Sequence, residues 1–330
     1  MQYKTLILNS KDVSSLLGMD ATIEAVASAY KSFNAGNAVM PPITSIDLPE
    51  HNGEMDFKAG YSREENVISM KIASGYWDNP QNYGLSSCVA LICLFDARNG
   101  VPLCVMDGSL ITGVRTGAAG AVAARALARK NSEVVAVIGA GGQARMQVLA
   151  LSRIFPLKQV RVWCRGDGSE YCRRMGEELP GVEFLAFETA QDAVCGADIV
   201  VTTTPSREAL VMDEWIQPGM HITAVGSDSP GKQELDPAIF RRASKIVNDS
   251  ITECVRRGDT QHPIALGYIR IEDIHAEIGE ILLGRKPGRE SDDEITIYDT
   301  TGLSVLDIHT AAMVYHAAVE QGLGTYIDIL

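Results

Sequence analysis

An α/β fold is predicted, in which a doubly wound parallel sheet is inserted into a second, α+β domain. Three observations predict it. The centre of the 330-residue chain alternates β-branched runs with helical stretches, the rhythm of a parallel sheet. One of those runs ends in a glycine-rich turn, Gly139-Ala140-Gly141-Gly142-Gln143-Ala144, that opens a helix. The flanks have meander spacing instead, so they belong to another sheet.

Length and composition set the frame. At roughly 150 residues per domain, two domains are expected. Apolar residues make up 46% and charged residues 22%, enough for a sizeable core and unlike a disordered chain. With 29 Lys+Arg against 42 Asp+Glu the net charge is −13, which argues against gripping a nucleic-acid backbone. The seven cysteines form no C-x-x-C pair, and most lie in apolar runs, so reduced and mostly buried thiols are expected. No basic-then-apolar leader opens the sequence, and the small-apolar stretch 118–124 is stopped by Arg125. A cytoplasmic protein with neither membrane nor nucleic acid as partner is expected.

In chain order, residues 19–35 form the first clear helix. Strand-like pieces follow at 69–73, 87–96 and 103–107, joined by turn signals such as Asp78-Asn79-Pro80 and Asn99-Gly100. An antiparallel or mixed sheet is expected there. Strands are then expected at 134–138, 160–164, 184–186, 197–203, 221–225, 245–248 and 295–298. Helices are expected from the glycine turn to about 154 and over 169–179. The stretch 305–321 repeats apolar residues at helical spacing, and it is expected to pack back on the N-terminal region. The cofactor domain is therefore placed at 118–305, inserted into a domain made of 1–117 and 306–330.

The turn at 139–144 has the form G-x-G-x-x-A of the dinucleotide fingerprint, which makes the inserted domain Rossmann-type. Gly139 allows the tight turn, Gly141 lets the backbone approach a pyrophosphate, and Ala144 lets helix and strand pack closely. The next strand ends at Arg165 with no acid before Asp167, so the local chemistry tolerates NADP as well as NAD. Lys71 sits in an apolar strand pattern, unusual for an ammonium group, and is either paired with an acid or aimed at a ligand. Arg115 stands before a run of very small residues, where a helix start would let it clamp a carboxylate or join a salt bridge. Asp228 follows a strand at the ligand-binding edge of such sheets; it is a candidate proton carrier or a turn-former. Thr301-Gly302 follow another strand and are placed to contact a nicotinamide. The six histidines lack metal-ligand spacing, so no metal is assigned.

Together these segments resemble the ornithine cyclodeaminase/μ-crystallin family over nearly the whole chain. The resemblance is carried by Lys71, Ile111-Thr112-Gly113-Val114-Arg115-Thr116, the turn 139–144, Gly226-Ser227-Asp228-Ser229-Pro230-Gly231-Lys232 and Thr301-Gly302. It implies a homodimer that oxidises amino acids or reduces imino acids with NAD or NADP. Cofactor contacts are then expected at Thr116, Gly139, Ala140, Gly141, Gly142, Gln143, Ala144, Arg165, Thr203, Val225, Gly226, Ser227, Thr301 and Gly302. Lys71 and Asp228 are expected to be catalytic, and Lys58, Lys71 and Arg115 to bind substrate.

One departure directs the substrate assignment. Ile43 stands where many members carry a basic residue that helps hold the substrate carboxylate. The segment 40–43 followed by 53–61 looks like a branch associated with iminosuccinate reduction and ectoine breakdown, in which Lys58 replaces that cation. Three cations exceed what one α-carboxylate needs, so reduction of iminosuccinate to L-aspartate with NAD as cofactor is the expected activity. The alternatives are an ornithine cyclodeaminase that recycles its NAD internally, an alanine dehydrogenase, or a non-catalytic crystallin-like binder.

Overall fold

The structure is a computed structural model that describes residues 3–329. It divides into two compact units, one of residues up to Arg115 together with those from Leu303 onward, the other Thr116–Gly302. The first unit begins with β1 (Thr5–Leu8), β2 (Ala38–Val39), β3 (Thr44–Leu48) and β4 (Gly53–Ser62). It continues with β5 (Val67–Tyr76), β6 (Cys88–Asp96) and β7 (Pro102–Asp107). The second unit holds β8 (Val134–Ile138), β9 (Gln159–Trp163), β10 (Glu183–Ala186), β11 (Ile199–Thr202) and β12 (Arg207–Val211). After these come β13 (His221–Ala224), β14 (Gln233–Leu235), β15 (Lys245–Asn248), β16 (Ala276–Glu277) and β17 (Thr296–Asp299). The chain returns to the first unit with β18 (Thr325–Ile327).

The first unit's sheet runs β18-β1-β7-β6-β5-β4-β2, with β3 also on β4. It is mixed: β1 and β7 are parallel, and the other pairs are antiparallel. Alternation along β5 sets what each face carries. Val67, Ser69 and Lys71 point inward and are buried, while Ile68 and Met70 point outward and are exposed. The inward face is covered by the helix Ser304–Gln321, on which the helix Met19–Asn34 packs in turn. Leu6, Ile92, Leu94, Met106, Ile308 and Ala311 lie in the resulting core. Strand β4, with Lys58 in it, is regular over ten residues although its sequence alternates weakly.

The second unit's sheet runs β10-β9-β8-β11-β13-β17-β15-β16, with every adjacent pair parallel. The order reverses direction at β8 and β11, the switch point of a doubly wound sheet. Both faces are covered, so β11, β13, β15 and β17 are buried throughout. The short pair β12 and β14 stands apart as a two-stranded sheet.

Two expectations need correction. Arg115 is not at a helix start, because the helix runs Ser109–Leu127 and begins six residues earlier. Asp107 sets that start, accepting bonds from the Ser109 and Leu110 amides at 3.1 and 3.2 Å. The thiols are also less hidden than expected. All seven are free, but only Cys104, Cys172 and Cys254 are buried, and Cys88 is exposed. Edge strands and strand ends leave one face open even where the sequence is apolar.

Candidate active site

In the first unit, β5, the helix Ser109–Leu127 and the helix Ser304–Gln321 each deliver one charge to a common point. Asp307 Oδ2 lies 2.8 Å from Lys71 Nζ, and Asp307 Oδ1 accepts a bond from Arg115 Nε at 2.9 Å. Lys71, Arg115 and Asp307 are only 2%, 4% and 1% exposed. Lys58 lies directly opposite Lys71 across the β4–β5 pair, so its half-buried side chain emerges on the same face.

Burial pushes Lys71 down to about 7; Asp307 opposes this, while Arg115 and Lys58 add to it. Burial pulls the Asp307 carboxyl upward, but Arg115 and Lys71 outweigh it and hold the group below its usual range. The cluster is therefore a carboxylate locked between two cations, with an ammonium poised to gain or lose its proton near neutrality.

Asp307 was not among the residues expected to act, and it changes the charge count. Lys71 and Arg115 do not stand as bare cations: one of their two charges is already balanced within the protein. The signal was present in the sequence as an acid on an apolar helix face, between Val305 and Ile308. Ile43, half-buried, lies just before β3.

In the second unit the turn after β8 has the shape its sequence implies. Gly139 has φ of +111°, where a Cβ would sit 2.8 Å from Thr203 Oγ1. Around Gly141 and Gly142 a Cβ would meet nothing, so these two exposed backbones border open space. Gly141 caps the helix Gly142–Leu151 with no side chain on the first amides. Those N–H groups suit a pyrophosphate. Ala140, Gly141 and Gly142 line a cleft of about 380 Å³ together with Asp167, Glu170 and Tyr171, among others. Ala144 is fully buried against the sheet, and Gln143 keeps a buried Oε1 without a hydrogen-bond partner. The residues present fit a dinucleotide.

The other expected contacts lie in the same unit. Thr116 gives its carbonyl to Gln147 Nε2 at 2.9 Å. Val225 and Ser227 are buried; Ser227 Oγ donates to the carbonyl of Lys232 at 3.0 Å. The amides of Thr301 and Gly302 both donate to Asp249 Oδ2, at 3.0 and 2.8 Å. Arg165 is exposed beyond β9 and does not line the cleft, whereas Asp167 does. Hydrogen bonds from Ser169 hold Asp167 below the usual carboxylate range. Asp228 lies four residues beyond β13, about half exposed, with its carboxylate 2.6 Å from Lys232 Nζ.

Among the described residues no group of histidine, cysteine and acid side chains is placed to hold a metal ion, and no helix is long and apolar enough to cross a membrane.

Comparison with known proteins decides the lineage. Residues 3–322 match the model of the ornithine cyclodeaminase/mu-crystallin family. The chain belongs to that family. Its fold superimposes on an archaeal alanine dehydrogenase dimer with bound NAD, at a TM-score of 0.93 and 37% identity over 99% of this chain and 100% of the other. It also matches the Thermococcus litoralis Δ1-pyrroline-2-carboxylate reductase in complex with NADH and L-proline. There the TM-score is 0.94 and the identity 35%, over 98% and 100% of the two chains. The iminosuccinate reductase of Paracoccus denitrificans in complex with NAD+ gives 0.92 and 31%, over 99% and 100%. These relatives are dehydrogenases and reductases, and the mixed α/β architecture with its parallel sheet is theirs as well.

Proposed function

We propose that the protein is an NAD-dependent oxidoreductase that reduces a small α-imino acid to the amino acid, with iminosuccinate to L-aspartate as its reaction. The observation that carries this reading is the buried Lys71–Asp307–Arg115 cluster with Lys58 across the strand pair. Subtracting Asp307 leaves one positive charge from Lys71 and Arg115, and Lys58 adds a second. Two carboxylates on the substrate balance that sum. Arg115 and the Lys71 ammonium hold the α-carboxylate, and Lys58 takes the distal one. When bound, the nicotinamide supplies the hydride that reduces the imine carbon. Asp228, open to water beyond β13, is assigned the proton exchanged at nitrogen.

NAD is favoured over NADP by the acids at the cleft. Asp167 lines it, and Glu170, pushed down to about 2 by hydrogen bonds from Arg173 and Arg174, lines it too. Arg145 and Arg174 line it as well, but they are ion-paired with Glu178 and Glu170, so a 2′-phosphate there would meet Asp167 with no uncommitted cation among the lining residues. Replacing Gly139 with alanine is expected to weaken NADH binding about tenfold or more and to lower the unfolding midpoint, because the side chain meets Thr203 at a positive φ. Gly141→Ala, which meets nothing in the protein, is expected to weaken NADH binding with the midpoint nearly unchanged. Fluorescence titration and thermal melts of both variants check this.

One alternative has an observation in its favour. With Lys71 near 7, loss of its proton leaves the cluster with a single net charge, which suits an imino monocarboxylate such as the imine of pyruvate. Rates of NADH oxidation with ammonium and either oxaloacetate or pyruvate separate the two. The dicarboxylate reading expects kcat/KM at least about tenfold higher for oxaloacetate, falling toward the pyruvate value in Lys58→Met. A preference for pyruvate would overturn the dicarboxylate assignment and leave the reductase assignment standing.

The outward face of the first sheet supports a homodimer. Cross-strand register aligns Ile46, Met55, Met70, Val89 and Leu91 on that face, among others. Ile46, Met70, Val89 and Leu91 are 39–48% exposed in the single chain, each with a large apolar side chain in water. Sedimentation is expected to show a dimer that Met70→Glu with Leu91→Glu converts to monomer; a monomeric wild type would refute the pairing.

A further inference from the structure

Four carboxylates, Glu234, Asp249, Asp259 and Asp299, are buried in the second unit, and among the described residues no ion pair holds any of them. Their partners are backbone amides, hydroxyls or a thiol instead, and Asp259 Oδ2 alone of their oxygens is buried without a hydrogen bond. Asp249 fixes Thr300, Thr301 and Gly302, and Asp299 fixes Asp259 and Thr260. Glu234 is the one that spans two strand ends. Its Oε2 accepts from Thr202 Oγ1 at 2.7 Å and from the Gly226 amide at 2.8 Å, and its Oε1 accepts from the Thr204 amide.

Those donors belong to the end of β11 with the turn after it, and to the turn after β13. The two turns are pressed together: a Cβ on Gly226 would lie 2.2 Å from the Thr204 carbonyl oxygen. Glu234 is itself held in place. Its own amide and that of Leu235 both donate to Asp259 Oδ1, at 2.8 and 3.0 Å. Burial raises the Glu234 carboxyl to about 7 against the pull of its three donors. An acid retained at such a cost, with its bonds all aimed at two turns, is a strut.

We propose that Glu234 is a positioning residue for the dinucleotide: it presets the turns that carry Thr203 and Val225–Ser227 before the cofactor arrives, without touching the cofactor. This rests on the assignment of a dinucleotide to the second unit. A carboxylate is required because three donors converge on two acceptor oxygens. Glutamine would set an NH2 group against one of them, leaving a buried amide unpaired.

The test is NADH binding by fluorescence titration, with amide hydrogen exchange on the cofactor-free protein. Glu234→Gln is expected to raise the NADH dissociation constant about tenfold or more at temperatures well below its melt. Thr202→Val, which removes only the hydroxyl and leaves both amide bonds, is expected to change it less than about threefold. In the cofactor-free wild type the Thr204 and Gly226 amides are expected to be protected, a result that needs no variant to fold. Unchanged NADH affinity in Glu234→Gln, or equal losses in the two variants, would reduce Glu234 to a purely structural role. Amides that exchange freely until NADH binds would overturn the presetting. A wild type that binds neither NADH nor NADPH would overturn the cofactor assignment together with this inference, and is distinguished by the wild-type titration alone.

Discussion

Asp307→Asn is expected to lower stability at pH 6 by about 3–5 kcal/mol, the cost of breaking a buried ion pair on one side. Lys71 and Arg115 would remain buried with no counter-charge, and asparagine can offer neither of them more than a dipole. Lys71 has an exit that Arg115 lacks. Its pKa, already pushed down to about 7 with Asp307 present, falls further once the carboxylate that raises it is gone. The pH dependence follows from proton counts. Between the folded pKa and the usual value near 10.5, the unfolded chain holds the Lys71 proton and the folded chain does not, so stability rises with pH across that window. In the wild type the rise begins near 7; in Asp307→Asn it begins lower. Urea unfolding at pH 6 and pH 9 checks this: the variant's deficit is expected to shrink at the higher pH. A deficit independent of pH would mean that Lys71 is not the group in play.

The second large effect is on turnover. Lys71→Met is expected to cost about 10²–10³-fold in kcat/KM for the imino acid, the usual loss when one charged group facing a reacting anion is removed. Stability is expected to change far less than in Asp307→Asn, because methionine fills the site while Arg115 still balances Asp307. The two variants therefore separate binding from folding within one cluster. In the wild type, KM for the imino acid is expected to rise as pH passes upward through about 7, where the ammonium loses its proton. Lys71→Met is expected to lack that rise.

What was legible in the sequence depended on distance along the chain. Strands β8 and β15 could be bounded from the sequence alone, because a buried parallel strand carries a short β-branched run and needs no partner to be seen. The glycine turn was legible for the same reason: strand, turn and helix are neighbours in sequence. Lys71 stands out in sequence as an ammonium group within an apolar strand pattern, and the structure places it with Val67 and Ser69 on the buried face. The cluster around it was not legible. Asp307 is 192 residues from Arg115, and nothing in either local pattern names the other. Without Asp307, the three cations looked like an unbalanced site, and the charge argument for the substrate was stronger than the structure supports. Arg115 reads as standing at a helix start for a local reason: the glycines and small residues that follow it suggest one there, while the Asp107 cap starts the helix earlier. Nothing in the local sequence marks Glu234; its three donors come from two strand ends that only the folded sheet brings together.

Net reduction of an imino acid at the expense of a nicotinamide shows in the stoichiometry of the purified protein with NADH, ammonium and oxaloacetate, followed at 340 nm with the amino acid quantified at the end. One NADH is expected to be consumed for each L-aspartate formed. No NADH consumption under these conditions, with conversion of ornithine to proline without net cofactor turnover, would contradict it.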